Sequence, residues 1–127
     1  MSRLSVIVPV YNVERWVDRC LESLSMQEFR DFEVICVNDG STDGSRERLA
    51  AWEARDHRVR VIDQANQGPS AARNAGIHAA RGDYVSFLDA DDRYLPGACG
   101  RIVSALDESG SDVLVFGGRC YPDDAPC

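Results

Sequence analysis

Short apolar runs alternate with amphipathic segments along the chain. The runs predict β-strands, because they are rich in Val and Ile and end in turn residues. They span Leu4–Val10, Phe32–Val37, Arg58–Ile62, Tyr84–Leu88 and Asp112–Phe116. The first and fourth runs are typical of strands buried in a sheet, and the third alternates as an edge strand does. Pro9 cannot donate to a ladder, so we expect the first strand to end there.

The segments between the runs have apolar residues at helical spacing and start signals before them. The predicted starts are Asn12 as an N-cap, Asp43 or Ser45 as the next cap, Pro69 at a first helical position, and Pro96. The third helix has an inner face of small residues, which are Ala71, Ala72, Ala75, Gly76 and Ala79. We therefore expect this helix to lie close to the sheet. The alternation of strands and helices predicts an α/β fold with a parallel central sheet.

Composition narrows the class of protein. At 127 residues and 44% hydrophobic, the chain suits one compact core. Its net charge of −7 argues against a nucleic-acid partner, because the phosphate backbone would be repelled. All 14 basic residues are Arg, which excludes phosphate loops and Schiff bases that need lysine. No run is long enough to cross a membrane and no leader precedes the first strand, so we expect a soluble, cytoplasmic protein.

Cysteine and histidine offer little chemistry here. The five cysteines form no CxxC pair, which argues against a zinc or disulfide framework. Cys20 and Cys36 lie on apolar faces and are expected in the core. His57 and His78 are acid–base candidates by residue type, but their positions predict surface residues.

Polar residues follow three of the predicted strands. Tyr11 and Asn12 follow the first, Asn38 and Asp39 the second, and an acidic cluster, Asp89-Ala-Asp-Asp92, the fourth. In open α/β sheets, ligands bind outside the carboxyl ends of the strands. We therefore expect these side chains to meet at one edge of the sheet.

The acidic cluster holds Asp89, Asp91 and Asp92. Three adjacent carboxylates repel one another, and a hard cation such as Mg²⁺ or Mn²⁺ would relieve this and leave positions for phosphate oxygens. An acidic protein can bind a polyphosphate through such a cation. The alternative is that these residues cap the next helix in a solvated turn.

Three further residues are candidates for ligand contacts, each with an ordinary structural alternative. Asp39 could accept a hydrogen bond from a pyrimidine ring N–H, or serve only the turn that follows it. Tyr11 could stack on a base, or be a partly buried core residue. Arg73, near the start of the third helix, could bind a phosphate, hold the acidic cluster in place, or be a surface arginine.

Missing motifs exclude other α/β classes. No GxGxxG follows the first strand and no GxxxxGK[ST] is present. A response-regulator receiver would need an acidic pair after the first strand and a lysine near the last, and the chain has neither. A metal-dependent nucleotidyltransferase would usually have a glycine-rich basic loop after the first strand, and the chain has none there. Two alternatives nevertheless stay open: a metal-dependent nucleotidyltransferase without that loop, and a nucleotide-sugar-binding module of a larger protein without catalytic activity.

Four ordered blocks resemble the signature blocks of family 2 glycosyltransferases with the GT-A fold. They are Ser5–Asn12, Val37–Gly44, Asn66–Gly76 and Gly82–Asp92, and Leu21–Gln27 resembles the first-helix pattern of that family. The resemblance covers most of the chain. It implies a three-layer, Rossmann-like GT-A half-domain with a mostly parallel sheet flanked by helices.

The same resemblance implies a set of site residues. The nucleotide-binding residues would be Pro9, Tyr11, Asp39, Arg73 and Asp89, and the metal ligands Asp89, Asp91 and Asp92. Tyr11 and Asp39 would hold the uracil, in a pocket shaped by Pro9, and Asp89 with Asp91 would be the DxD motif that binds Mg²⁺ or Mn²⁺. The implied reaction is inverting transfer of a sugar from a UDP-sugar to a hydroxyl of a glycan or other acceptor, as in the synthesis of cell-surface polysaccharides.

In that family the general base and the acceptor site lie in a C-terminal half. Asp123 and Asp124 lie in a predicted terminal loop and do not match the base motif. We therefore expect residues 1–127 to be a single nucleotide-sugar-binding domain, truncated before the acceptor half, with the base beyond residue 127 and little activity alone. Association of the parent protein with the inner face of the membrane stays open.

Overall fold

Strands and helices alternate throughout residues 3–112, which are the residues described by the computed structural model. The elements are β1 (Leu4–Val10), α1 (Val17–Ser25), β2 (Phe32–Asp39), α2 (Ser45–Arg55), β3 (Val59–Gln64), α3 (Pro69–Ala79), β4 (Tyr84–Phe87) and α4 (Ala98–Ser109). The sheet is parallel, in the order β3-β2-β1-β4. The predicted fifth strand, Asp112–Phe116, lies outside the described residues except for Asp112.

The sheet is covered by helices on both faces, which gives three layers. Val34 and Cys36 of β2 belong to the larger core, together with apolar residues of α1, α2 and α4. Ile35 and Val37 point the other way and pack with Ala72 of α3. Because side chains of a strand alternate between the two faces, the continuous apolar run of β2 is explained by burial on both sides. The predicted α/β architecture is confirmed.

Helix α3 lies very close to β1. It begins at Pro69, as predicted, after Gly68, whose φ of 97° favours glycine. A Cβ on Gly76 would lie 2.4 Å from Ile7 Cγ2, so no larger residue fits there. The prediction of a small-residue face against the sheet is therefore correct.

Strand β1 runs one residue past Pro9, contrary to the prediction that it ends there. Pro9 pairs in register with Val37 of β2. On the other side, Ile7 O accepts a hydrogen bond from Leu88 N at 2.9 Å, and β4 has already ended at Phe87. Alternate residues of a strand bond to alternate neighbours, so Pro9 faces the side where β4 has ended. Its missing N–H therefore costs no ladder bond.

Three predicted helix caps or starts are wrong. Helix α2 begins at Ser45 with Gly44 as its N-cap, although Asp43 Oδ1 accepts a hydrogen bond from Ser45 N at 2.9 Å. Helix α1 begins at Val17, and Asn12 is not its N-cap; instead Asn12 Oδ1 accepts a hydrogen bond from Thr42 N at 2.8 Å. Helix α4 begins at Ala98, and Pro96 lies in the loop before it. Before α1 and before α4 the chain makes contacts with another segment, and a local capping rule does not include such contacts.

Strand β4 is less buried than its apolar sequence suggests. Val85 is 39% and Phe87 44% exposed. Among the described residues β4 pairs with β1 alone, so it is an edge strand of this part of the sheet. The interpretation of Tyr84–Leu88 as a buried run is therefore wrong for this face of the strand.

In residues 3–112 the longest α-helix has 12 residues, and none of the helices could cross a bilayer.

Candidate functional site

The order of the strands creates a switch point between β1 and β4. The chain adds β2 and β3 on one side of β1 and then places β4 on its other side. Ligands of open α/β sheets bind in the crevice at such a point, outside the carboxyl ends of the strands. Tyr11 follows β1, Asp39 ends β2, and Asp89 lies two residues beyond β4. The predicted site residues therefore lie along one edge of the sheet.

The acidic turn, residues 89–92, brings three carboxylates together. Oxygens of Asp89, Asp91 and Asp92 all lie within 4.8 Å of one another, and Asp92 N donates to Asp89 O at 2.9 Å. Burial, and then the negative charges of Asp91 and Asp89, raise the pKa of Asp92. Oxygen donors in a compact, mutually repelling group suit a hard divalent cation. The donor set therefore fits Mg²⁺ or Mn²⁺.

Arg73 of α3 reaches the acidic turn from across the switch point. Its NH2 lies 3.4 Å from Asp89 Oδ1. The side chains are 40% and 56% exposed, so solvent screens the attraction and the pair adds little to stability. Arg73 therefore contacts the acidic turn directly, as in the interpretation that it holds the acidic cluster in place.

Asp39 is buried and anchors the loop between β3 and α3. It is 2% exposed. Its Oδ1 accepts from Gln64 Nε2 at 2.9 Å and from Gln67 N at 2.8 Å, and its Oδ2 accepts from Gly68 N at 3.0 Å. Burial opposes ionisation, but these three hydrogen bonds outweigh it and lower the pKa of Asp39. The carboxylate also lies at the positive end of the α3 dipole.

Tyr11 and Pro9 line the same edge at the end of β1. The Tyr11 side chain is half exposed, so its ring is available to a ligand, and Pro9 is partly buried. Val10 pairs with Asn38 at the end of the register, and Tyr11 and Asp39 are the residues that follow this pair. The phenol and the Asp39 carboxylate therefore belong to the same part of the sheet edge.

The loops after β1 and β2 are tied together, which sequence reasoning missed. Asn12 N donates to Ser41 Oγ at 3.1 Å, and Gly44 N donates to Glu14 Oε1 at 3.0 Å. Asn12 has a φ of 50°, a conformation that Asn tolerates better than most residues. The signal available in the sequence was an asparagine two residues after the end of β1. These contacts hold the loop that begins at Tyr11.

The histidines lie away from this site, and the buried cysteines Cys20 and Cys36 are part of the core. His57 and His78 are exposed, and they lie near the starts of β3 and β4, at the opposite edge of the sheet. Cys20 and Cys36 are fully buried, which confirms their prediction as core residues. Burial raises the pKa of Cys36 to about 12, so its thiol stays neutral.

Similarity to known proteins agrees with this geometry. The model of the family described as "Glycosyl transferase family 2" matches residues 5–125. The chain belongs to that family. It is 44% identical over 114 residues to the uncharacterized glycosyltransferase EpsJ of Bacillus subtilis (strain 168), covering 90% of this chain and 33% of EpsJ. The family resemblance predicted from the motif blocks is therefore confirmed.

Solved structures share the fold. The crystal structure of S. aureus TarS 1-349 in complex with UDP-GlcNAc is 34% identical, with a TM-score of 0.81 over 95% of this chain and 37% of that one. The mannosyltransferase PcManGT from Pyrobaculum calidifontis, in complex with GDP-Man and Mn²⁺, is 23% identical with a TM-score of 0.75, covering 87% of this chain and 33% of that one. This chain therefore spans about a third of each of these proteins, and the predicted GT-A fold is confirmed.

Proposed function

We propose that this chain is the donor-binding domain of an inverting glycosyltransferase that takes a UDP-sugar with a divalent cation. The observation that carries the proposal is the acidic turn at the switch point, with Arg73 beside it. The similarity to TarS, whose structure contains UDP-GlcNAc, supports a nucleotide-sugar ligand. The nearby positions of Tyr11 and Asp39 support a nucleotide base at the same edge of the sheet.

The cation would be held by Asp89, Asp91 and Asp92. When bound, Mg²⁺ or Mn²⁺ supplies positive charge that neutralises a diphosphate leaving group. Arg73 then has a second role. Its guanidinium is paired with Asp89 in this structure, and a diphosphate at the acidic turn would offer it stronger acceptor oxygens. Arg73 would thus exchange a carboxylate partner for a phosphate.

The base would lie between Tyr11 and Asp39, with Pro9 shaping the pocket. In addition to its three shorter hydrogen bonds, Asp39 Oδ2 accepts from Asn66 Nδ2 at 3.4 Å. A carboxylate has about four acceptor sites, so all of them are in use within the chain. The contact with Asn66 is the longest of the four. We infer that a ring N–H of the base replaces it, while the other three bonds keep the carboxylate ionised and in place.

The acceptor site and the general base would come from the part of the protein that the longer relatives have in addition. This domain would therefore bind donor and transfer little sugar alone, and the acceptor would be a hydroxyl of a glycan or similar molecule. We propose a cytoplasmic location for this domain, with the inner face of the membrane as the site at which the longer protein would meet its acceptor. The net charge of −7 makes nucleic acid an unsuitable partner.

The test is calorimetric titration of UDP into the 127-residue chain, with Mn²⁺ and then with EDTA. We expect binding with the cation and much weaker binding with EDTA, because the diphosphate would otherwise meet three carboxylates. Asp91→Asn should abolish the metal-dependent part. Glu108→Gln, which removes the same charge from an exposed position on α4, should leave it unchanged. A folded chain that binds no UDP under either condition would contradict the proposal.

A further inference from the structure

One face of α1 lies beneath the acidic turn and the loop that follows it. Cys20 and Ser23 are three residues apart, and Gln27 follows at the end of the helix, so the three point to the same side. We call them the α1 polar stripe. Their polar atoms contact the backbone of residues 89–99, which leads from β4 to α4.

The contacts are four hydrogen bonds spread along that segment. Cys20 Sγ lies 3.8 Å from Asp89 O, and Ser23 Oγ accepts from Tyr94 N at 3.1 Å. The amide of Gln27 bonds twice: its Nε2 donates to Leu95 O at 3.0 Å, and its Oε1 accepts from Cys99 N at 3.1 Å. Three of the contacts satisfy backbone groups of residues 88–97, which contain no helix or strand to supply partners. The fourth satisfies Cys99 N in the first turn of α4, where a backbone N–H has no partner within the helix.

The polar stripe is itself well ordered. Gln27 is only 2% exposed, although its neighbour Met26 is 71% exposed. The amide has a further bond from Nε2 to Ser23 O at 3.0 Å, and the Ser23 hydroxyl donates to Cys20 O at 2.6 Å. A buried amide is costly unless it is hydrogen-bonded. Here Nε2 donates to the loop and to α1, and Oε1 accepts from the first turn of α4. The contacts with backbone groups therefore explain why a glutamine is buried at this position. An apolar side chain of similar size could not form these hydrogen bonds.

We propose that Ser23 and Gln27, with Cys20, are positioning residues for the acidic turn. They would hold the backbone of residues 89–95, so that the three carboxylates stay close enough to share one cation. Coordination tolerates errors of only about 0.5 Å, and loop backbone without such anchors is less constrained. This inference rests on the proposed donor site, because it assigns the stripe a role in that site.

The experiment compares Ser23→Ala with Ser25→Ala in the full 127-residue chain. Both remove one hydroxyl from α1, but Ser25 Oγ bonds only to Glu22 O of the same helix. We measure Mn²⁺ binding by electron paramagnetic resonance, and backbone amide exchange without metal. Ser23→Ala should weaken Mn²⁺ binding about 2- to 10-fold, as expected for one lost hydrogen bond, and should speed exchange at Asp92 and Tyr94. Ser25→Ala should do neither.

Two further variants separate positioning from general stability. Ser23→Thr keeps a hydroxyl and should restore Mn²⁺ affinity. Gln27→Leu keeps a buried side chain of similar size and should weaken Mn²⁺ binding more than Ser23→Ala does, since it removes two contacts with the loop. Thermal unfolding defines the temperatures at which each variant is folded. A purely structural role would lower the midpoint and leave the Mn²⁺ affinity of the folded protein unchanged.

The outcomes are distinguishable. If the wild-type chain binds Mn²⁺ and UDP, but Ser23→Ala binds Mn²⁺ as well as Ser25→Ala does, the positioning role is wrong and the donor site stands. If the folded wild-type chain binds neither ligand, the donor site is wrong and the stripe has no site to position. Weakened Mn²⁺ binding together with faster exchange, both restored by Ser23→Thr, supports the inference.

Discussion

Gly76 of α3 lies against Ile7 of β1 with no space for a side chain between them. A Cβ on Gly76 would lie 2.4 Å from Ile7 Cγ2. Gly76→Ala should therefore lower the free energy of unfolding by about 1–3 kcal/mol, because the helix must move away or Ile7 must leave its rotamer. Urea unfolding measures the change.

Gly100→Ala is the matched control for Gly76→Ala. Gly100 also lies in a helix, but its Cβ would meet Phe29 Cβ at 3.6 Å, an ordinary contact. The free energy of unfolding of this variant should rise by about 0.5–1 kcal/mol, because alanine has a better helix propensity than glycine. Equal stabilities for the two variants would mean that α3 can shift without cost.

Arg73 should matter for ligand binding and little for folding. Its pair with Asp89 is exposed, so Arg73→Ala should change the free energy of unfolding by less than about 0.5 kcal/mol. Loss of a charged hydrogen bond to a diphosphate should weaken UDP binding in the presence of Mn²⁺ about tenfold. Arg101→Ala, at an exposed position of α4, controls for the loss of positive charge. Unchanged UDP affinity in Arg73→Ala would remove this residue from the site.

Asp39 should stabilise the fold only while it is ionised. Its pKa is lowered in the folded chain, so its contribution is present above the unfolded pKa of about 3.9 and is lost as the pH falls through the lower folded pKa. Asp39→Asn places an NH₂ group opposite N–H donors, so it should lower the free energy of unfolding by about 1–3 kcal/mol at pH 7. The difference in free energy of unfolding between wild type and Asp39→Asn should become smaller below pH 3.9. Urea unfolding at several pH values measures this difference. A difference that stays constant down to pH 2 would contradict this.

Glu33 should stabilise the opposite edge of the sheet without affecting the site. Its Oε2 accepts from Ser5 Oγ at 2.6 Å and Arg81 N at 2.7 Å, and its Oε1 accepts from Arg60 NH2 at 3.1 Å. Glu33→Gln keeps only one acceptor oxygen and should cost about 1–3 kcal/mol of unfolding free energy. UDP binding should not change.

Glu53→Gln is the control for Glu33→Gln. Glu53 is exposed and accepts one bond, from Val61 N at 3.0 Å, so its replacement should cost less. Chemical denaturation and UDP titration of both variants give the two readouts. A loss of UDP binding in folded Glu33→Gln would show that the two edges of the sheet are coupled.

Sequence reasoning succeeded where the signal is local and failed where it depends on distant neighbours. Pro69 was predicted to open α3, because proline at a first helical position is a short-range signal. The prediction that β1 ends at Pro9 was wrong, because the missing N–H of proline removes a ladder hydrogen bond only if β4 extends to that level of the sheet. Asn12 was misjudged because its partner, Thr42, belongs to another loop.

The candidate site shows the same division. The motif blocks were enough to predict the family, and the residue types after the strands identified the acidic turn. The partners of Asp39 could not be predicted, because Gln64 ends the next strand, and Gln67 and Gly68 lie in the loop after it. Nothing in the sequence of α1 shows that Ser23 and Gln27 face residues 89–99.

Residue pattern was therefore sufficient for the α/β class, most of the elements, and the chemical character of the strand ends. These properties follow from hydrophobic periodicity and local backbone preference, which operate over a few residues. The strand order β3-β2-β1-β4, the contact of Gly76 with Ile7, and the pairing of Arg73 with Asp89 were decided by tertiary structure. They depend on long-range packing and hydrogen bonds, which exist only once distant segments are brought together.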